Sequence, residues 1–193
     1  LTNSAASDII RSTGFTEPTN LAYGTYQTNN ITAAGAGVGN IKIAEFTIQD
    51  GGGSNDGDGL GTILNSVTFT VGNSANVRRL ALYDNSGTAF VGTEQAGASS
   101  VTFSGLTLTA ADNGSKTFSV YASFNTAVTD NQNIGLTVSA ATASTSGSGF
   151  AAGNAGAAAS VVTGNTNKIV VTATKLLFGT VPGGSINVNL TAF

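Results

Sequence analysis

Short stretches in which apolar and polar residues alternate constrain the fold of this chain more than any other feature of its sequence. In the clearest of them the apolar residues Phe118, Val120, Ala122 and Phe124 alternate with Thr117, Ser119, Tyr121 and Ser123. An alternation of period two places one set of side chains on the buried face of a β-strand and the other set on the opposite face. About ten such short strands, with no persuasive helical periodicity, predict an all-β fold: an antiparallel β-sandwich of jelly-roll or immunoglobulin-like type.

Two local signals refine this strand pattern. The apolar positions within 41–48 change parity near Ala44, which predicts a β-bulge at that point. Glu45 falls at the change of face, and we expect its side chain either to face solvent or to reach the acidic loop that follows. The Asn113-Gly114 pair lies between two alternating stretches and predicts a hairpin turn of type I′, in which both central residues have positive φ.

The last third of the chain has a different composition. Residues 141–167 are rich in Ala, Ser, Gly and Asn, and they predict a long low-complexity loop with one turn of helix around 155–159. We expect Ile169 and Val171 to close the core. The sequence therefore indicates one β-sandwich module at residues 1–174.

Residues 175–193 look like a separate strand segment. Ile186, Val188 and Leu190 alternate with polar residues and form an apolar strand face that is too short to build its own core. We interpret this segment as a linking strand or as the start of a following immunoglobulin-like domain. Its expected partners are neighbouring copies or adjacent domains of the same protein, reached by strand pairing.

The loop at residues 50–61 is the most acidic and the most glycine-rich part of the chain. It places Asp50, Asn55, Asp56 and Asp58 among glycines that allow positive φ. Such a backbone can direct several oxygen atoms toward one point, and Ca²⁺ takes six to eight oxygen ligands from carboxylates, amides and carbonyls. The sequence predicts a calcium site formed by these four residues. A solvated turn uses the same residue types, and that interpretation stands beside the metal site.

The composition excludes several classes of function. The 193 residues include no Cys, His, Met or Trp, so the chain cannot build a thiol nucleophile, a Ser-His-Asp triad or a zinc site of the usual ligands. Its ten Asp and Glu show no recognisable glycosidase pair, and we expect no enzymatic activity. A formal charge of −3, with no basic run longer than Arg78-Arg79, indicates no nucleic-acid partner. No apolar stretch is long enough to insert into a membrane.

Several segments resemble a repeat module of very large bacterial surface proteins. These segments are DGGGSNDGDGLGTILNSVTFTV, NSANVRRLALYD, FSGLTLTAADNGSKTFSVYASF, VTDNQNIGLTVSAATASTSGSGFAAGNAG and KIVVTATKLLF. The module is found in proteins exported by the type IX secretion system of gliding and biofilm-forming bacteria, a broad class that includes the mobile gliding adhesins. In such proteins it alternates with immunoglobulin-like domains, and TATKLLF resembles the beginning of the next one. The resemblance implies an extracellular structural or adhesive role at the cell surface, in a calcium-containing medium.

A carbohydrate-binding module is the alternative function, with surface polysaccharide as the partner. β-Sandwich proteins present sugars to exposed aromatic side chains, and the aromatic residues with a polar tip here are Tyr23, Tyr26, Tyr83 and Tyr121. Isolated tyrosines on strands are more often cross-strand packing partners, which favours the structural role.

Overall fold

The computed structural model describes residues 2–173, which form nine β-strands in two antiparallel sheets. The strands are β1 (Asp8–Arg11), β2 (Ile41–Gln49), β3 (Thr62–Val71), β4 (Val77–Asp84), β5 (Phe90–Ala96), β6 (Ser100–Phe103), β7 (Leu108–Ala110), β8 (Ser115–Phe124) and β9 (Leu136–Ala143). Short 3-10 turns lie at Tyr23–Thr25, Ala36–Val38, Asp50–Gly53 and Ser74–Asn76. The prediction of an all-β sandwich is confirmed. The predicted linking strand with Ile186, Val188 and Leu190 lies outside the described residues.

The two sheets differ in their organisation. The first sheet has the strand order β1-β2-β8-β4-β5. The second is centred on β3, which pairs with β6 and β7 along one edge and with β9 along the other. Within the described residues the chain therefore passes from one sheet to the other five times, and two of these crossovers are the β2–β3 and β7–β8 connections.

The core between the sheets is built on aromatic contacts. Phe46 on β2 lies 5.8 Å, between ring centroids, from Phe69 on β3 and also 5.8 Å from Phe118 on β8. Phe69 in turn contacts Phe103 on β6, with centroids 6.1 Å apart. Because these rings come from both sheets, their edge-on and tilted packing joins the two layers. Phe118, Val120, Ala122 and Phe124 are all buried, as the alternation on β8 predicts.

The hairpin prediction at Asn113-Gly114 is wrong. β7 belongs to the second sheet and β8 to the first, so this turn joins the two layers instead of two paired arms. Asn113 alone of the pair has positive φ, at 54°, and the Gly114 amide donates a hydrogen bond of 2.8 Å to the carbonyl of Ala111. The local signal correctly places a turn, but strand pairing depends on distant residues that the turn does not specify.

The outer face of the first sheet is covered, which changes the environment of Glu45. The predicted bulge is confirmed, since the register with β8 shifts between Lys42 and Ala44. Glu45 is buried, however, and it neither faces solvent nor reaches the acidic loop. Its carboxylate accepts hydrogen bonds from Ser12 Oγ at 2.7 Å and from Lys42 Nζ at 2.9 Å. The prediction for Glu45 is wrong because the segment that follows β1 packs over this face.

Residues 141–167 are more ordered than their composition suggests. β9 extends through Ala143, and the residues after it run along the side of the sandwich, where Ala158 forms a bridge with Thr137. No helical turn forms at 155–159 in the described structure; Ala155 has a positive φ of 44°. Ile169 is buried as predicted, but Val171 is 38% exposed and does not close the core.

Candidate cation site

The acidic loop lies where two connections cross between the sheets. It begins directly after β2, and its 3-10 turn at Asp50–Gly53 includes Gly51 and Gly52 with φ values of 59° and 64°. A Cβ at Gly51 would lie 3.2 Å from the Cβ of Asp56, so glycine permits this close approach as well as the positive φ. The β7–β8 crossover packs against the loop, since the Asp50 amide donates a hydrogen bond of 2.9 Å to the carbonyl of Gly114.

Three carboxylates meet at this junction. One oxygen each from Asp50, Asp56 and Asp112 lies within 4.8 Å of the other two. Asp50 is fully buried, Asp56 is partly buried and Asp112 is exposed, so the group runs from the end of β2 to the surface. A cation of the right size at the centre of such a triangle would contact all three oxygens. This cluster can hold a metal ion.

Asp50 is positioned by hydrogen bonds from both sides of the junction. Its Oδ1 accepts a bond of 2.6 Å from Thr62 Oγ1, at the start of β3. Its Oδ2 accepts a bond of 2.8 Å from the amide of Asn113, in the crossover. The buried carboxylate therefore has a fixed orientation before any ion binds.

Asp56 carries an oxygen without a partner. Its Oδ1 accepts a hydrogen bond of 3.3 Å from the Asp58 amide, but its Oδ2 is buried and has no hydrogen-bond donor within the described residues. A buried charged oxygen that lacks a partner is unfavourable. A cation bound beside Asp50 and Asp112 would give this oxygen the partner that it lacks.

Asp58 and Asn55, which the sequence also proposes as ligands, make other contacts. Asp58 accepts hydrogen bonds from the Ser4 amide at 2.6 Å, the Leu60 amide at 2.8 Å and Ser148 Oγ at 2.9 Å. These bonds, that from Ser4 foremost, hold the pKa of the Asp58 carboxyl below its usual range. Asn55 Oδ1 accepts a bond of 2.8 Å from the Gly57 amide. The structure thus brings Asp50 and Asp56 together, and it uses Asp58 to hold the N-terminal segment and residue 148 against the loop.

Sequence reasoning missed Asp112. This residue is 62 positions from Asp50 and directly precedes the predicted Asn113-Gly114 turn, so neither spacing nor composition connects it with the acidic loop. The sequence signal that could have indicated Asp112 is the Asp-Asn-Gly turn. Such a turn at a sheet crossover can lie close to a loop at the same end of a sandwich.

The tyrosines do not form an exposed row. Tyr83 is buried and packs edge-on against Tyr121 and Phe90, with ring centroids 5.2 Å apart in both pairs. Burial raises the pKa of the Tyr83 hydroxyl. Tyr23 and Tyr26 are partly buried against the main core. All four tyrosines therefore act at least in part as packing residues.

Comparisons with known proteins assign no function to this site, so it is interpreted from its geometry. No protein-family model matches the chain, and none of the curated proteins shows significant similarity to it. Among the described residues, the structure contains no helix long and apolar enough to cross a membrane.

Proposed function

We propose that this chain is a non-enzymatic structural module of an extracellular bacterial surface protein, held together by Ca²⁺ at Asp50, Asp56 and Asp112. The observation that carries this proposal is the meeting of three carboxylates where the β2–β3 and β7–β8 crossovers come together, with one buried oxygen of Asp56 without a partner within the described residues. An ion bound there ties the β2–β3 connection to the β7–β8 connection. The cation acts as a staple between layers in a chain that has no cysteines.

Calcium is the ion that best fits the donor set. The ligands are hard carboxylate oxygens, and the chain offers no thiolate or imidazole for a softer metal. Ca²⁺ accepts irregular coordination by a flexible loop, whereas Mg²⁺ requires near-octahedral geometry and retains most of its water. The glycine-rich backbone at 51–53 therefore suits Ca²⁺ better than Mg²⁺, and the exposed Asp112 leaves room for water ligands.

The surface role is supported by the resemblance to repeat modules of type IX-secreted proteins and by the sandwich architecture. In this proposal the module is one link in a repetitive protein or filament, joined to adjacent domains or neighbouring copies through residues 175–193. Antibody labelling of intact cells tests the location. Electron micrographs of the purified protein test the linear arrangement, and a polysaccharide panel tests the alternative of carbohydrate binding.

Isothermal titration with CaCl₂ tests the ion site directly. The full chain should bind Ca²⁺, and Asp112→Asn should weaken binding by at least about tenfold because one charged ligand is lost. Asp130→Asn is the matched control: it also removes an exposed aspartate, but from outside the cluster. Equal affinity in the wild type and Asp112→Asn, or a loss of affinity in Asp130→Asn of the same size, would contradict the assignment.

A further inference from the structure

A pocket that shares no residue with the acidic cluster lies between the segment after β1 and the segment before Ile169. Its volume is about 370 Å³, and its lining includes Arg11, Phe15, Glu17, Val161 and several threonines, among them Thr163. The volume is sufficient for one or two sugar rings. The lining combines one ion pair, an aromatic ring, an aliphatic side chain and hydroxyl groups.

Glu17 is the polar centre of this pocket. The residue is only 5% exposed, and its Oε1 accepts hydrogen bonds from Arg11 Nε at 3.0 Å and from the Val161 amide at 2.8 Å. Its Oε2 is buried and has no donor within the part of the chain that the structure describes. Because the Glu17 side chain is only 2% exposed, a ligand in the pocket does not reach this oxygen. Glu17 instead holds Arg11 and the Val161 segment at the pocket wall and offsets the charge of Arg11.

Arg11 provides the hydrogen-bond donors that a ligand in the pocket can reach. Its Nη1 donates to the Ser12 carbonyl at 3.3 Å and its Nη2 to the Phe15 carbonyl at 3.1 Å, which fixes the guanidinium over the pocket wall. Each of these nitrogens carries a second hydrogen that these bonds do not use. The Arg11 side chain is 30% exposed, so it is accessible to a ligand.

The charges around the pocket favour a neutral ligand. The Glu17 carboxylate pairs with Arg11, and the Lys42 ammonium lies 4.7 Å from the centroid of the Phe15 ring while it pairs with Glu45. Each of these two cations is already paired with a carboxylate, so an anionic ligand would lose its hydration without gaining an unpaired positive charge. A cationic ligand would be repelled by the Arg11 and Lys42 side chains.

From these contacts we propose that the pocket binds a neutral saccharide unit. Sugar hydroxyls both donate and accept, so one hydroxyl can accept from the exposed Arg11 guanidinium while others bond to the threonine hydroxyls. The apolar face of a pyranose ring fits against Phe15 and the 44% exposed Val161. This site differs from the tyrosines that the sequence suggests, and it does not depend on the cation site.

Two-dimensional amide NMR of the full chain tests the proposal with methyl glycosides of glucose, galactose, mannose and N-acetylglucosamine at millimolar concentration. At least one glycoside should shift resonances of residues 11–19 and 161–166. Phe15→Ala and the isosteric Thr163→Val should each weaken that binding by roughly fivefold to tenfold. Thr163 is exposed, so its substitution leaves the fold intact.

Tyr23→Ala is the control, because Tyr23 lines a different pocket beside Val170. It should leave glycoside affinity unchanged, and glucuronate should bind more weakly than the neutral glycosides. The proposal is overturned if no glycoside binds, if the shifts map to the pocket of Tyr23, or if Phe15→Ala and Thr163→Val both retain wild-type affinity.

Discussion

Individual carboxylates in this protein have different roles, which their hydrogen bonds reveal. Asp58 and Asp84 each accept several bonds from neighbouring groups, whereas Asp56 keeps one buried oxygen without a donor. A carboxylate with several donors stabilises its loop in the ionised state. A buried carboxylate oxygen without a donor favours a nearby positive group. This difference distinguishes Asp56 from Asp58, although the two residues look alike in the sequence.

Asp84 provides a prediction about pH. The Ala89 amide, Ser86 Oγ and the Thr88 amide donate to its carboxylate and lower its pKa. A group with a lowered folded-state pKa stabilises the protein above its unfolded pKa of about 3.9, and this contribution is lost as the pH falls through the folded value. Urea unfolding at pH 6 and pH 3 should therefore show a smaller loss of stability on acidification in Asp84→Asn than in the wild type. Identical losses would contradict the proposed role of the turn.

Phe118 provides a prediction about the core. It is 3% exposed and packs against Phe46, so Phe118→Ala should reduce the free energy of unfolding by about 3–5 kcal/mol. Thr117 points to the other face, where its hydroxyl bonds to Thr47 at 2.8 Å. Thr117→Ala should cost only about 1 kcal/mol, the contribution of one hydrogen bond. Denaturant unfolding measures both values, and equal losses would show that the two faces contribute equally.

At the scale of elements, alternation predicts strands well but does not predict their partners. The strand at 115–124 and the bulge near Ala44 follow from side-chain parity, which is a local property. The pairing of β7 with β3, and the contact of Asp112 with Asp50, join positions far apart in the chain. Alternation does not predict the structure of residues 141–167. Small side chains pack there through close approach of the backbone, so the sequence contains no periodic apolar positions.

Paired glycines test whether this small-residue segment is packed. A Cβ at Gly147 would lie 2.3 Å from the carbonyl oxygen of Gly61, whereas one at Gly153 would meet no atom within 4 Å. Gly147→Ala should therefore lower the free energy of unfolding by about 1–3 kcal/mol, through forced backbone displacement. Gly153→Ala should be neutral or slightly stabilising. If thermal unfolding shows no difference between the two variants, the segment is a loose loop after all.

At the scale of the whole molecule, the two sheets are joined by different means in different places. The aromatic rings of Phe46, Phe69 and Phe118 hold the layers together at the centre. At the end where the β2–β3 and β7–β8 connections cross, the layers meet through carboxylates and hydrogen bonds. Repulsion among three carboxylates opposes that contact unless a cation is present. The proposed calcium staple therefore affects global stability as well as the loop.

Thermal unfolding of the full chain, in excess Ca²⁺ and after complete removal of calcium by a chelator, tests this account most directly. With free Ca²⁺ a hundredfold above its dissociation constant, binding adds about 2.7 kcal/mol of stability. For a domain of this size the melting temperature should rise by about 5–10 °C. Asp112→Asn, with binding at least about tenfold weaker, should lose at least about half of that increase. A melting temperature that stays the same with and without calcium, once metal analysis shows that the ion has been removed, would contradict the central claim.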